Sequence, residues 1–341
     1  MSKLNRFNIF IILLMAVLTS CEKEIEFSEQ YDSGIAVYAI ADPGQPFSMR
    51  ISRSFTVNDN PSVVFSNYSK YYSELDSLYK AKIVIADAHV EVTVNGVDKY
   101  TMQYNPTNPY AYTCDYMPKV GDNISVYITA PGYKDVSASA TIEQPKKIEI
   151  LRTEVVYQEI GDKQAYVVTN PLTGGFEPFG EDSVMRLTLK MTDPVGEHNF
   201  YRLRVCSISE RTRVFFGDHT STFYSLTDVF TSDDNIFSDN MLTKPFGYWK
   251  EGFSNVFDDH LFNGQEYTFI VESRKPRGEN QHVIVELQTI SQDLYYFLKS
   301  YMLFRISTDD VYMTPIGLYS NIRDGWGILG ALSYDRHIIY Y

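Results

Sequence analysis

HVEVTVNGVDKYTMQY, residues 89–104, decides how this chain is read. Val90, Val92 and Val94 alternate with His89, Glu91 and Thr93, the period of a strand with one buried face. Asn95-Gly96 then supplies a tight hairpin turn, because both residues tolerate positive φ. The return strand alternates Tyr100, Met102 and Tyr104 against Thr101 and Gln103.

The same period extends outward on both sides. GIAVYAI and FSMRISRS precede the hairpin; AYTCDY, NISVYITA and VSASATI follow it, the last two separated by Pro131-Gly132. About seven short strands before Pro145 predict an immunoglobulin-like β-sandwich over residues 31–145. Gln144-Pro145-Lys146-Lys147 marks the domain boundary. Beyond it IEILRTEVVY, MRLTLKM, NFYRLRVCSI, EYTFIVES and HVIVELQTI predict a second, larger β-sandwich-like domain over 146–341. The fold class is mostly β, with long loops at 55–80 and 209–260. One amphipathic helix is expected in SQDLYYFLKSYMLFRI, capped by Ser291 and striped by Leu294, Phe297, Leu298 and Tyr301. The chain closes in a glycine-punctuated tail. There Gly325, Gly327 and Gly330 allow close backbone approach, and Trp326 reads as a plug in a core or a domain seam.

At the other end, residues 9–24 read IFIILLMAVLTSCEKE. The run Ile9–Leu18 is too short to span a bilayer, which takes about 20 apolar residues. Lys3 and Arg6 before it fit a signal peptide over residues 1–20. Leu18-Thr19-Ser20-Cys21 resembles a bacterial lipobox, so Cys21 is the expected lipidation site and residues 21–30 a tether. Several acyl chains on one cysteine anchor firmly where a single chain binds only marginally. The acidic-flanked CEKE start resembles lipoproteins of the Bacteroidota sorted to the outer membrane and its cell-surface face.

Loss of Lys3 and Arg6 with the leader takes the formal charge from −13 to −15, which excludes a nucleic-acid partner. Cys114 and Cys206 fall in different predicted domains and read as separate thiols.

No nucleophile elbow, zinc helix or phosphate loop occurs. Asp258-Asp259-His260 has metal and acid–base side chains but reads as a polar turn. Asp233, Asp234 and Asp239 form an oxygen-rich stretch that a calcium ion would use, although its spacing departs from the EF-hand. With 27 tyrosines the chain is rich in groups that cover area and keep a polar tip. Phe216, Tyr224, Tyr248, Trp249 and Phe253 are the expected contacts for a glycan or peptide ligand, or for a protein partner. The alternative is that these rings build a satellite core beneath a long loop.

Taken together, CEKEIEF, DPGQPFSMRISRS, HNFYRLRV, DDHLFNGQEYTF, SQDLYYFLKS and PIGLYSNIRDGWGILGA resemble domain-of-unknown-function family 4249, outer-membrane lipoproteins of the Bacteroidota. One departure stands at Asp324 and Trp326, where the family pattern has a glycine pair and a smaller residue. The resemblance implies no reaction. It implies a non-catalytic binding or accessory role beside a TonB-dependent transporter. A structural or adhesion lipoprotein is the alternative, and an extracytoplasmic hydrolase the third choice.

Overall fold

The structure, a computed structural model, describes residues 33–54, 83–106, 111–157, 165–166, 178–179, 183–215, 219–228, 230–238, 253–275, 279–309 and 317–340. Its first half contains β1 (Ile35–Ala41), β2 (Ser48–Arg53), β3 (His89–Val94), β4 (Asp98–Asn105), β5 (Ala111–Thr113), β6 (Asn123–Thr129) and β7 (Val136–Thr141). Each coincides with a strand predicted from alternation. The second half contains β8 (Ile148–Tyr157), β9 (Ala165–Tyr166), β10 (Pro178–Phe179), β11 (Ser183–Thr192), β12 (Phe200–Phe215) and β13 (His219–Asp228). It continues through β14 (Phe230–Thr231), β15 (Val256–Asp258), β16 (Glu266–Arg274), β17 (Glu279–Ile290), the helix α1 (Gln292–Asp309) and β18 (Trp326–Tyr340). The chain divides by its contacts into Met1–Asp32, outside the described residues, and Ser33–Tyr341.

Among the described residues the architecture is mostly β. A twelve-stranded sheet runs β13-β12-β17-β18-β1-β2-β5-β4-β3-β6-β7, with β15 paired to β12. A four-stranded sheet runs β14-β16-β11-β8, and β9 and β10 form a ribbon.

The strand that joins the halves is β18, which the sequence pattern presents only as a tail. Its first part pairs parallel with β1, from Ala36↔Trp326 to Ala41↔Ala331. Its second part pairs antiparallel with β17, from Ile290↔Leu332 to His282↔Tyr340. Alternation does not reveal it, because Ile328 through Ser333 is buried on both faces and two glycines interrupt the start. Strand β13, likewise, lies inside a stretch expected to be loop. The sequence HTSTFYSLTD is too polar to signal a strand, and pairing with β12 along ten registered positions supplies what propensity lacks.

Two cores share one face of the large sheet. The first gathers Ile35, Val37, Val90, Val92, Ile124, Ile128, Leu329 and Ala331. The second is filled from both sheets: Met185, Leu187, Leu189, Phe269 and Val271 meet Tyr201, Leu203, Val205, Val283 and Leu287. The junction is stitched to the second half, since the Lys146 and Ile148 amides donate to Thr289 Oγ1 and Asp335 Oδ2, each at 3.0 Å. The helix does not cover a sheet edge. Leu294, Phe297, Leu298 and Met302 are buried, and the first three pack with Ile328, Leu332, Phe200 and Tyr38 on the opposite face of the central strands. Ser291 caps this helix and also accepts the Ala331 amide at 3.1 Å, tying its start to β18.

The glycines of the tail behave as their spacing predicts. Gly327 has φ +99° against the Val37 carbonyl, and a Cβ on Gly325 would stand 2.7 Å from the Ile35 oxygen. Asp324 adopts φ 62°, the left-handed region that favours glycine. Trp326 corrects an expectation. It is 56% exposed, not a plug, because it stands at the start of β18, before the stretch from Ile328 that the helix covers. No helix among the described residues is long and apolar enough to cross a membrane. Cys114 and Cys206 lie in different halves with no disulfide between them.

Candidate functional site

The solvent face of β3, β6 and β7 carries hydroxyls in register. Thr93 stands opposite Ser125, and Ser125 opposite Ser139; Tyr127 stands opposite Ser137 in the next row. Their inward neighbours Val92, Val126 and Val136 fill the first core, so alternation forces these polar groups outward. The segment before β18 and the first turn of α1 rise beside them, adding Asp293, Asn321 and Arg323. The result is an open groove of about 530 Å³.

Its walls are held by specific bonds. Arg323 is fixed through its backbone, with Arg323 N donating to Ser137 O at 2.8 Å and Ser137 N returning to Arg323 O at 3.3 Å. Asn321 accepts the Leu329 amide at 3.0 Å and donates to the Leu329 carbonyl at 2.9 Å. Asp293 accepts from Tyr319 Oη and, at 3.1 Å, from Asn321 Nδ2. It sits in the first turn of the helix, where the helix dipole favours a negative charge. Tyr319 in turn packs against Tyr296, ring centroids 5.5 Å apart, and Tyr296 is 42% exposed. The groove lining therefore combines a hydroxyl floor, one carboxylate, one amide, one guanidinium and the Tyr127 ring.

Phe253, Asp233 and Asp234, singled out from sequence, are not in the groove lining. Cys21, Phe216, Asp239, Tyr248 and Trp249 fall outside the described residues, and of Tyr224 only the place in β13, opposite Glu210, is described. Phe253 is half-buried, its ring 5.5 Å from Phe230 and 5.8 Å from Phe237, packed on the second core. Asp234 caps a short 3-10 turn by accepting the Ile236 amide at 3.1 Å and also accepts from Tyr267 Oη at 2.8 Å; Asp233 beside it is exposed. Among the described residues no group of three or more His, Cys, Asp or Glu side chains is placed to hold a metal. Asp259 is wholly buried and accepts from the Asn199 amide at 2.7 Å and Asn263 Nδ2 at 3.1 Å, with His198 Nδ1 at 2.6 Å. It anchors a turn. The groove residues were missed because they come from three strands far apart in sequence. The available signal was the run of small hydroxyls at the outward positions of VSASATI.

The family described as Domain of unknown function (DUF4249) matches residues 22–338. The chain belongs to the DUF4249 family. No curated protein and no solved structure matches it. The DUF4249 match takes in both cores, the groove and nearly all of β18.

A recurring device runs through this DUF4249 chain: a tyrosine hydroxyl set on an aspartate. Tyr116 donates to Asp122 at 2.6 Å, Tyr127 to Asp135 at 2.5 Å and Tyr267 to Asp234 at 2.8 Å; Tyr201–Asp193 and Tyr319–Asp293 repeat it. Part of the tyrosine excess thus serves to hydrogen-bond carboxylates, of which Asp122 and Asp193 are buried and Asp135 is exposed. Burial works to raise the Asp122 pKa, but bonds from Tyr116, Asn95 and the Lys119 amide together hold it below the usual carboxylate value. Burial, then the bond to the carboxylate, pushes Tyr267 and Tyr319 up to about 12. A tyrosine raised in the folded state stabilises fully below its unfolded value near pH 10, and that stability is lost as pH rises toward 12. Urea midpoints measured from pH 9 to 12 are expected to fall steeply. Tyr319→Phe is expected to flatten the fall by on the order of 1 kcal/mol, after allowance for solvent screening. An unchanged slope in that variant would remove this account.

Proposed function

We propose that this protein is a non-catalytic binding lipoprotein, held at the outer membrane by acyl chains on Cys21, whose groove takes a hydroxyl-bearing ligand of the glycan class. The observation that carries the reading is the chemistry of the groove. Sugars offer paired hydroxyls and apolar ring faces. Serine and threonine hydroxyls, an amide, a carboxylate and a guanidinium meet the first, and the Tyr127 ring the second. Asp293 is the one carboxylate in the described lining, and it already accepts from Tyr319 and Asn321. Glycoside hydrolysis uses a pair. In the same reading, residues 31–145 form an immunoglobulin-like sandwich and 146–341 a second, sandwich-like domain, both completed by β18.

Ser139 supplies the test. It is exposed on the floor of the groove and its backbone is paired in β7, so Ser139→Trp fills the groove while leaving the inward face alone. The full chain on a glycan array is expected to retain specific sugars, and the variant to lose them by at least about tenfold at unchanged thermal stability. Equal binding by both would sink the groove as the site. A role beside a TonB-dependent transporter rests on the family resemblance. It predicts co-purification of a large barrel with the lipidated chain, and recovery of the chain alone from crosslinked cells would refute it.

A further inference from the structure

We infer that the Trp326 end of the body rests on the bilayer surface, with the indole in the headgroup layer. The inference rests on the reading of Cys21 as the lipid anchor, and three observations carry it. First, Trp326 is 56% exposed although it begins a strand whose next residues are buried. The body covers only part of its ring. Second, the chain enters the body beside it. Gly34 lies so close that a Cβ there would stand 3.3 Å from Trp326 Nε1, and Ala36 is its partner in the β1–β18 ladder. Eleven residues lie between Cys21 and Ser33, a reach of about 40 Å when fully extended, so this end is the one the anchor keeps nearest the lipid. Tyr340, at the far end of β18, lies about 45 Å farther along the strand.

Third, the neighbours of Trp326 suit an interface. The Lys134 and Arg323 side chains are 73% and 84% exposed. Both have long apolar stems and charged tips, which reach phosphates while the stem lies on the apolar boundary. Asp324 holds Lys134 at 2.6 Å, so the patch is mixed in charge, and the amphipathic indole rather than net charge makes the contact. A bilayer fits this end better than a protein partner does, because a short acylated tether already fixes the bilayer there. Arg323 also lines the groove, so on this inference the groove's ligand binds near the membrane plane.

Tryptophan quenching tests this directly, since the chain has two tryptophans and Trp249→Phe leaves Trp326 alone. The natively lipidated full chain carrying that change is reconstituted into vesicles of phosphatidylethanolamine and phosphatidylglycerol, with or without brominated acyl chains. Bromination is expected to lower Trp326 emission by about twofold. A second variant, Trp249→Phe with Trp326→Phe and Tyr340→Trp, is expected to be unaffected. Protein that floats with the vesicles but shows no quenching at Trp326 overturns this inference alone, as does equal quenching at position 340. Protein that fails to float overturns the anchor reading and this inference with it.

Discussion

Replacing Gly327 with alanine leaves the body of the protein unfolded in buffer that keeps the wild type native. At φ +99° an alanine pays for a left-handed backbone with about 1–2 kcal/mol. The collision is worse. A Cβ at 327 overlaps the Val37 carbonyl oxygen and stands 2.9 Å from its carbon and 3.0 Å from Val37 N. These are backbone atoms of a central strand, and no rotamer change relieves them. Strands β1 and β18 must part at the second of their six registered pairs. The expected loss is on the order of 5 kcal/mol, within the exceptional range for single substitutions and comparable to a whole domain's stability. Gly132→Ala is the control. Its φ is +81°, but an added Cβ there would meet nothing within 4 Å, so only the backbone term of about 1 kcal/mol applies. Far-ultraviolet dichroism and urea melts separate the two. A native spectrum and wild-type midpoint for Gly327→Ala would show that the halves are not joined as described.

Asp193→Ala is the second large effect. Asp193 is 2% exposed and accepts from Tyr201 Oη, from Asn199 Nδ2 at 3.3 Å and from the Gly264 amide at 2.9 Å. Burial, reinforced by the Asp193 carboxylate, raises the Tyr201 pKa, so the hydroxyl stays a neutral donor across the ordinary pH range. Alanine removes the acceptor from the buried Tyr201 hydroxyl, from Asn199 Nδ2 and from the half-buried Gly264 amide, and Tyr201, wholly buried, cannot turn to water. Each orphaned group costs about 1–3 kcal/mol, not additively, for an expected total of about 3–5 kcal/mol. Coupling identifies the mechanism. Tyr201→Phe costs about 1–2 kcal/mol in the wild type and far less once Asp193 is alanine, because the hydroxyl it removes is by then a liability. Strict additivity of the two changes in urea denaturation would rule the bond out as the source.

Legibility of the sequence followed burial geometry. Strands β1 to β7 showed themselves because Val90, Val92 and Val94, or Ile124, Val126 and Ile128, face a core while their neighbours face water. Helix α1 was visible through the stripe that now lies on Ile328 and Leu332. Strand β18 was hidden because burial on both faces erases the period. The outcome at Asp234 and Phe253 has a different cause. A carboxylate that caps a turn and a ring that packs on Phe237 have the same composition as a ligand site, and only their neighbours tell them apart. The groove was hidden by register. Thr93, Ser125 and Ser139 become one surface only when β3, β6 and β7 pair.

The placement of β18 sets a schedule for folding. Residues 326–340 are made about 290 residues after Ile35, yet Leu329 and Ala331 belong to the core begun by Ile35 and Val37. The first half of the chain therefore waits, with the partner edge of β1 uncovered, until β18 has been made. Contacts of such long sequence separation are slow to form. The earliest strands cannot complete their core until the far end of this ladder is delivered, so partial chains lacking β18 are left with an open strand edge.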